Sequence, residues 1–138
     1  MKKLRHILLV EDDQITNYIN KKLIKKIDPS FAIHVSQNGL EGLYFINNCI
    51  HHSENMPDLI FLDLNMPVLD GFEFLQDFKK LPLEGKVIIV ILTTSEHIKD
   101  IDKLIESGNS DIIAKPLTEE KFISIRNKYF NHHSVIEK

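Results

Sequence analysis

A chain of 138 residues, 43 per cent of them apolar, is long enough for one domain with a core of its own and too short for two. Its one cysteine, Cys49, excludes an intramolecular disulfide and fits a reducing cytoplasm. A net charge of -3 gives no general reason to expect a nucleic acid or a membrane surface as partner.

The start, Met1 to His6, runs into only the short apolar stretch Ile7 to Val10, too brief for a signal peptide or a membrane span. That stretch is the first predicted strand. Ile15, Tyr18, Ile19, Leu23, Ile24 and Ile27 then follow 3-4 spacing and predict a helix with these residues on one face, and with Lys21, Lys22, Lys25 and Lys26 on the other. Phe31 to Val35 is a second strand, and Leu40, Leu43, Tyr44 and Asn47 open a second helix. Leu59 to Leu62 is a third strand, followed by a helix marked by Phe72, Leu75 and Phe78. Val87 to Leu92 is a fourth, followed by Ile98, Ile101, Leu104 and Ile105 with Gly108 as a C-terminal cap. Ile112 to Ala114 and the stripe Phe122, Ile125, Tyr129 complete the series. Most of the strand segments are continuous apolar runs, the mark of parallel strands buried on both faces. Alternation of strand and helix predicts an α/β fold with helices on both sides of a parallel sheet. A single domain is expected over 1–138, with its core at about 4–130 and a short tail at 131–138.

In such a sheet, ligands bind beyond the carboxyl ends of the strands. Strand one ends in Glu11, Asp12 and Asp13, and strand three in Asp63, with Asn65 just beyond. Strand four runs into Thr93, Thr94 and Ser95, and strand five into Lys115 and Pro116. Carboxylates so gathered repel one another unless a cation intervenes. A hard divalent ion such as Mg²⁺, which takes one or two carboxylates and keeps waters for a phosphate, answers that need. Lys115 and Thr93 add a charge and a hydroxyl for the oxygens of a phosphoryl group, and Asp63 can serve as nucleophile. Asp13, directly before the first helix, reads as its N-cap.

At these residues the chain resembles the receiver domains of two-component response regulators. The matching pieces are Leu8 to Asp13, Asn38 to Glu41, Asp58 to Pro67, Asp70-Gly71, Thr93 and Lys115-Pro116. The intervals from Asp63 to Thr93 and from Thr93 to Lys115 are similar to those in the chemotaxis (CheY-like) receivers, and the resemblance runs from about Leu4 to Tyr129. It implies a flavodoxin-like (βα)5 doubly wound sandwich with strand order 2-1-3-4-5. It further implies that Asp63 is the phosphoacceptor, with Thr93 and Lys115 on the phosphoryl oxygens. Mg²⁺, or Mn²⁺, would be held by Glu11, Asp12, Asp63 and the backbone carbonyl of Asn65. Pro116 would follow a cis bond that aims Lys115.

The implied function is that of a two-component response regulator that takes a phosphoryl group from a kinase phosphohistidine and switches a protein-interaction surface. Beyond its own phosphotransfer and autodephosphorylation it would not be an enzyme. The implied partners are a sensor histidine kinase and a downstream or phosphorelay protein. Neither nucleic acid nor membrane is expected, and homodimer formation stays open. Ile112 stands where an aromatic residue is usual, and signalling is therefore expected to pass through Thr93 and the loop Thr94 to Lys99. The long segment Asn47 to Pro57, with Thr93-Thr94-Ser95, is similar to stand-alone receivers that serve phytochrome-type kinases.

Other classes fit less well. A flavodoxin-like cofactor binder needs a Gly/Ser/Thr-rich phosphate loop after strand one, where this chain has three acids. A haloacid dehalogenase phosphatase wants a second aspartate where this chain has Asn65. A receiver-like interaction module that is never phosphorylated is the alternative reading of the same fold. The adjacent pairs His51-His52 and His132-His133 point their side chains apart and make poor metal sites, and Cys49 reads as a buried thiol.

Overall fold

The computed structural model describes residues 2–52, 55–64, 66, 68–82, 87–93 and 110–130. Five strands alternate with helices: β1 (His6–Val10), α1 (Gln14–Ile27), β2 (Ala32–Ser36), α2 (Gly39–His52), β3 (Leu59–Asp63), α3 (Gly71–Phe78), β4 (Ile88–Thr93), β5 (Ser110–Ala114) and α4 (Glu119–Tyr129). Every pairing is parallel and the order is β2-β1-β3-β4-β5, as expected. The fourth predicted helix, Ile98 to Ile105 with Gly108, lies outside the described residues, as do the Thr94 to Lys99 loop and the tail 131–138.

The pleat of the central strands explains why helices are needed on both faces. Ile7 and Leu9 of β1, Phe61 of β3 and Val90 of β4 form one core with Ile24 of α1 and Phe122 and Ile125 of α4. Leu8, Val10, Ile60, Leu62, Ile89 and Ile91, offset by one, form the other with Ile46 of α2 and Phe74 and Leu75 of α3. Strands buried on both sides need apolar residues on both faces, which β1, β3 and β4 have at every position but one end: His6 in β1, Asp63 in β3 and Thr93 in β4. Ile112 of β5 is half-buried against the second core.

One helix turns differently from its predicted face. On α1 the buried positions are Asn17, Asn20 and Ile24, flanked by the half-buried Leu23 and Ile27. Ile15, Tyr18 and Ile19 are 70, 62 and 55 per cent exposed. On α2 the inward residues are Gly42, Ile46 and Cys49, while Leu40 and Tyr44 face outward. Gly42 has no room for a side chain to spare, since a Cβ there would sit 3.2 Å from both Phe74 and Val10. Close approach of backbone to the neighbouring layer at Gly42 thus takes precedence over the apolar spacing of Leu40 and Tyr44.

At the edge of the sheet away from the strand ends, Asp58 is a structural group. Its Oδ2 accepts from the N–H groups of Arg5 and His6, both at 2.9 Å, and Oδ1 pairs with Lys2 at 3.0 Å. The carboxylate therefore ties the entry of β3 to the entry of β1.

Candidate functional site

Register brings the polar residues together. Val10 lies opposite Leu62, so one step further Glu11 comes level with Asp63. Asp63 pairs with Leu92, and Thr93 with Ala114, so Thr93 and Lys115 follow at the same edge. The loops hold that edge in place. Asp13 caps α1, accepting from Ile15 N–H at 3.2 Å and from the Thr16 hydroxyl at 2.7 Å. Asp70 and Glu73 form a reciprocal capping box at the start of α3. Gly71 packs so tightly that a Cβ would lie 2.7 Å from Leu64 Cα and 2.8 Å from the Asp63 carbonyl. Its N–H donates to the Leu64 carbonyl at 3.0 Å, which anchors the chain just after Asp63. Of the motif residues, Asp13, Asp58, Asp70 and Gly71 thus serve as scaffold.

The pocket itself is buried and charged. Glu11, Asp63 and Thr93 are all nearly inaccessible, at 6, 4 and 2 per cent exposure, while Asp12 is exposed at the rim. One carboxylate oxygen from each of Glu11, Asp12 and Asp63 falls within 4.8 Å of the others. Lys115 Nζ lies 2.8 Å from Asp63 Oδ1 and 3.6 Å from Glu11 Oε1. The Lys115 N–H donates to the Thr93 carbonyl at 2.8 Å, and the Lys115–Pro116 bond is cis, as the resemblance implied. Burial first, and the charge of Asp63 second, push the Glu11 carboxyl up to about 7, against the pull of the Asp13 N–H and Lys115. Burial works against the Lys115 ammonium, but its bond to Asp63 and the charges of Asp63 and Glu11 outweigh that and raise its pKa.

This donor set fits a small hard cation: three carboxylates converge, they are oxygen ligands only, and Glu11 resists ionisation where they meet. Asn65, expected to offer its carbonyl, lies outside the described residues. Glu11, Asp12, Asp63, Thr93 and Lys115 are brought to one edge, as their places at strand ends predicted. The spacing did not reveal Asn17. Buried on the inner face of α1, it donates from Nδ2 to the Glu11 carbonyl at 2.9 Å and so fixes the strand end that carries two of the acids. Its signal was a polar residue at a position that faces the core, visible only once that face is known. His51 and His52 each bond through Nδ1 to a carbonyl of their own helix.

The family model described as the response regulator receiver domain matches residues 7–126. The chain belongs to this family. A probable C4-dicarboxylate response regulator, DctR, of Bacillus subtilis (strain 168) is 32 per cent identical to this receiver over 131 residues, 95 per cent of this chain and 54 per cent of the relative. The receiver spans about half the length of the curated relatives it matches. Among solved structures, a two-component response regulator from Cytophaga hutchinsonii is similar at a TM-score of 0.81 and 28 per cent identity, with 92 per cent of this chain and 97 per cent of that one covered. The bacteriophytochrome response regulator AtBRR is similar at 0.78 and 25 per cent, with 99 per cent of each covered. No helix among the described residues of the receiver is long and apolar enough to cross a membrane.

Proposed function

We propose that this receiver takes a phosphoryl group onto Asp63 from the phosphohistidine of a sensor histidine kinase, with Mg²⁺ or Mn²⁺ held by Glu11, Asp12 and Asp63. The observation that carries this reading is the buried Asp63 carboxylate, 2.8 Å from the Lys115 ammonium and clustered with two further acids. An oxygen of Asp63 forms the new bond to phosphorus as the phosphorus–nitrogen bond of the phosphohistidine breaks. The imidazole leaves with the electron pair and takes up a proton. Lys115 and Thr93 meet the phosphoryl oxygens, where positioning and charge neutralisation carry most of the catalysis. A bound cation would supply the remaining positive charge for three carboxylates and an incoming phosphoryl group. Burial of Asp63 keeps competing water from the acceptor oxygen.

The chain acts on its own side chain and turns over no separate substrate. Its setting is the cytoplasm, and its output is a changed surface for a downstream or phosphorelay protein. Similarity to a bacteriophytochrome response regulator makes phytochrome-type kinases the first donors to try. Incubation with Mg²⁺ and acetyl phosphate is expected to add one phosphate, labile to hydroxylamine as an acyl phosphate is. Asp63→Asn should abolish it, whereas Asp58→Asn and Asp70→Asn should not. A stable phosphate on serine, threonine or histidine would sink this mechanism.

A further inference from the structure

Lys121 stands in the first turn of α4, where a lysine is out of place on two counts. The positive end of the helix dipole disfavours an ammonium there. Thr118 is the cap, and the third residue after it is where Glu or Gln would close a capping box. Thr118 does its half, since its Oγ1 accepts from the Lys121 N–H at 3.2 Å. The Lys121 side chain turns back toward β5 instead. Its Nζ donates to the Ala114 carbonyl at 2.7 Å and to the Pro116 carbonyl at 3.0 Å. These are the carbonyls on either side of Lys115. Together with the bond from the Lys115 N–H to the Thr93 carbonyl, the main chain is held before, at and after the residue whose Nζ meets Asp63.

We propose that Lys121 is a positioning residue for phosphoryl transfer: its ammonium clamps the two carbonyls around Lys115 and sets the direction in which Lys115 meets the phosphoryl oxygens. The proposal rests on the assignment of Asp63 as acceptor. Lys121 touches neither acceptor nor donor; it acts through the backbone. Charge-assisted bonds to carbonyls are stronger than neutral ones, so a single ammonium can stiffen both sides of Lys115. Displacing a catalytic group by about 1 Å can cost about 100-fold in rate, so partial loosening of this loop is expected to be felt. Glu11 and Asp12 lie in the loop after β1 and Asp63 ends β3, none of which the clamp touches, so cation binding is expected to change far less than the rate.

The test compares wild type, Lys121→Met, Lys121→Arg and Lys115→Met, with and without Lys121→Met. Phosphorylation by acetyl phosphate at saturating Mg²⁺ is followed by intact mass, and Mg²⁺ affinity is titrated separately without donor. Lys121→Met should slow labelling about three- to tenfold. It should leave Mg²⁺ affinity within about twofold of wild type, a split that general damage to the fold does not produce. Lys121→Arg, which keeps the charge and two donors, should recover most of the rate. In the Lys115→Met background there is nothing left to position, so adding Lys121→Met should slow the residual labelling by less than about twofold. If Lys121→Met does not fold, Lys121→Gln takes its place throughout. Wild-type rates in the Lys121 variant, an arginine variant as slow as the methionine one, or rate and Mg²⁺ affinity falling together would each overturn the clamp alone. A wild-type protein that takes no phosphate on Asp63 would overturn the acceptor assignment and the clamp with it.

Discussion

Val68, in the loop between Asp63 and α3, has a φ of 71°, a left-handed conformation that a β-branched side chain adopts only under strain. Such a conformation costs about 1–2 kcal/mol in an ordinary residue. The side chain is 72 per cent exposed, so burial returns little of that cost. Asparagine tolerates the left-handed region, and Val68→Asn is expected to stabilise the fold by about 1 kcal/mol without changing phosphorylation. The urea midpoint at unchanged slope measures it, and a lower midpoint would show that Val68 is held by contacts that outweigh the strain. Residues whose own side chains form the pocket were legible in the sequence, because acid, acid, hydroxyl and lysine each end an apolar strand. Asn17 and Lys121 were not. Each works by donating to a main-chain carbonyl, and a carbonyl has no residue identity that a motif could record.

Strands and helices were legible at the level of the element, since the apolar runs locate β1 to β5 and the 3-4 spacing locates the described helices. Which face of a helix packs inward was less so. On α1 the buried stripe runs Asn17, Asn20 and Ile24, with Ile27 half-buried beyond it, and the two asparagines hide it from a count of apolar residues. The consequence is an exposed apolar group, Ile15, Tyr18 and Ile19, that begins two residues after the Asp13 cap and so lies at the rim of the pocket. Lys22 stacks over the Tyr18 ring at 5.5 Å, and no acid occurs in the helix. An apolar patch with a basic flank beside the pocket suits docking of a protein partner, and under the proposed function that partner is the kinase that carries the phosphohistidine. The double variant Ile15→Ala, Tyr18→Ala is therefore expected to label with acetyl phosphate at the wild-type rate. Phosphotransfer from the histidine kinase that serves the wild type fastest should drop at least about tenfold, the loss of roughly 1.4 kcal/mol of docking energy. Equal loss with both donors would place the effect in the pocket and not in docking.

For the molecule as a whole, the acidic edge of the sheet loads the fold, and a cation bound there as proposed would relieve the load. Burial and the neighbouring Asp63 push Glu11 from 4.5 up to about 7. Between those values the native state keeps a proton that the unfolded chain has lost. At Glu11 the native protein then binds more protons than the unfolded chain, so the Glu11 contribution to metal-free stability falls as pH rises through the window, and above about 7 that loss is complete. A cation bound by the native state alone works in the opposite sense, adding about 1.4 kcal/mol at ten times its dissociation constant. Its effect is largest once the carboxylates are ionised, on the alkaline side of the same window. Asp12 is exposed and belongs to the cluster, so Asp12→Ala removes a repelling charge and a proposed ligand at once. It should raise the metal-free melting temperature above neutral pH by a few degrees and remove most of the response to Mg²⁺. Glu11→Gln should instead flatten the metal-free decline, because the titrating group is gone. Melting curves in chelator and in millimolar Mg²⁺, taken from about pH 5 to about pH 8 at constant low ionic strength, separate these effects. Wild-type melting that ignores Mg²⁺ at every pH would place the cation elsewhere. A wild-type profile with the same slope as that of Glu11→Gln would mean that Glu11 ionises at its ordinary value, with Lys115 neutralising the pocket unaided.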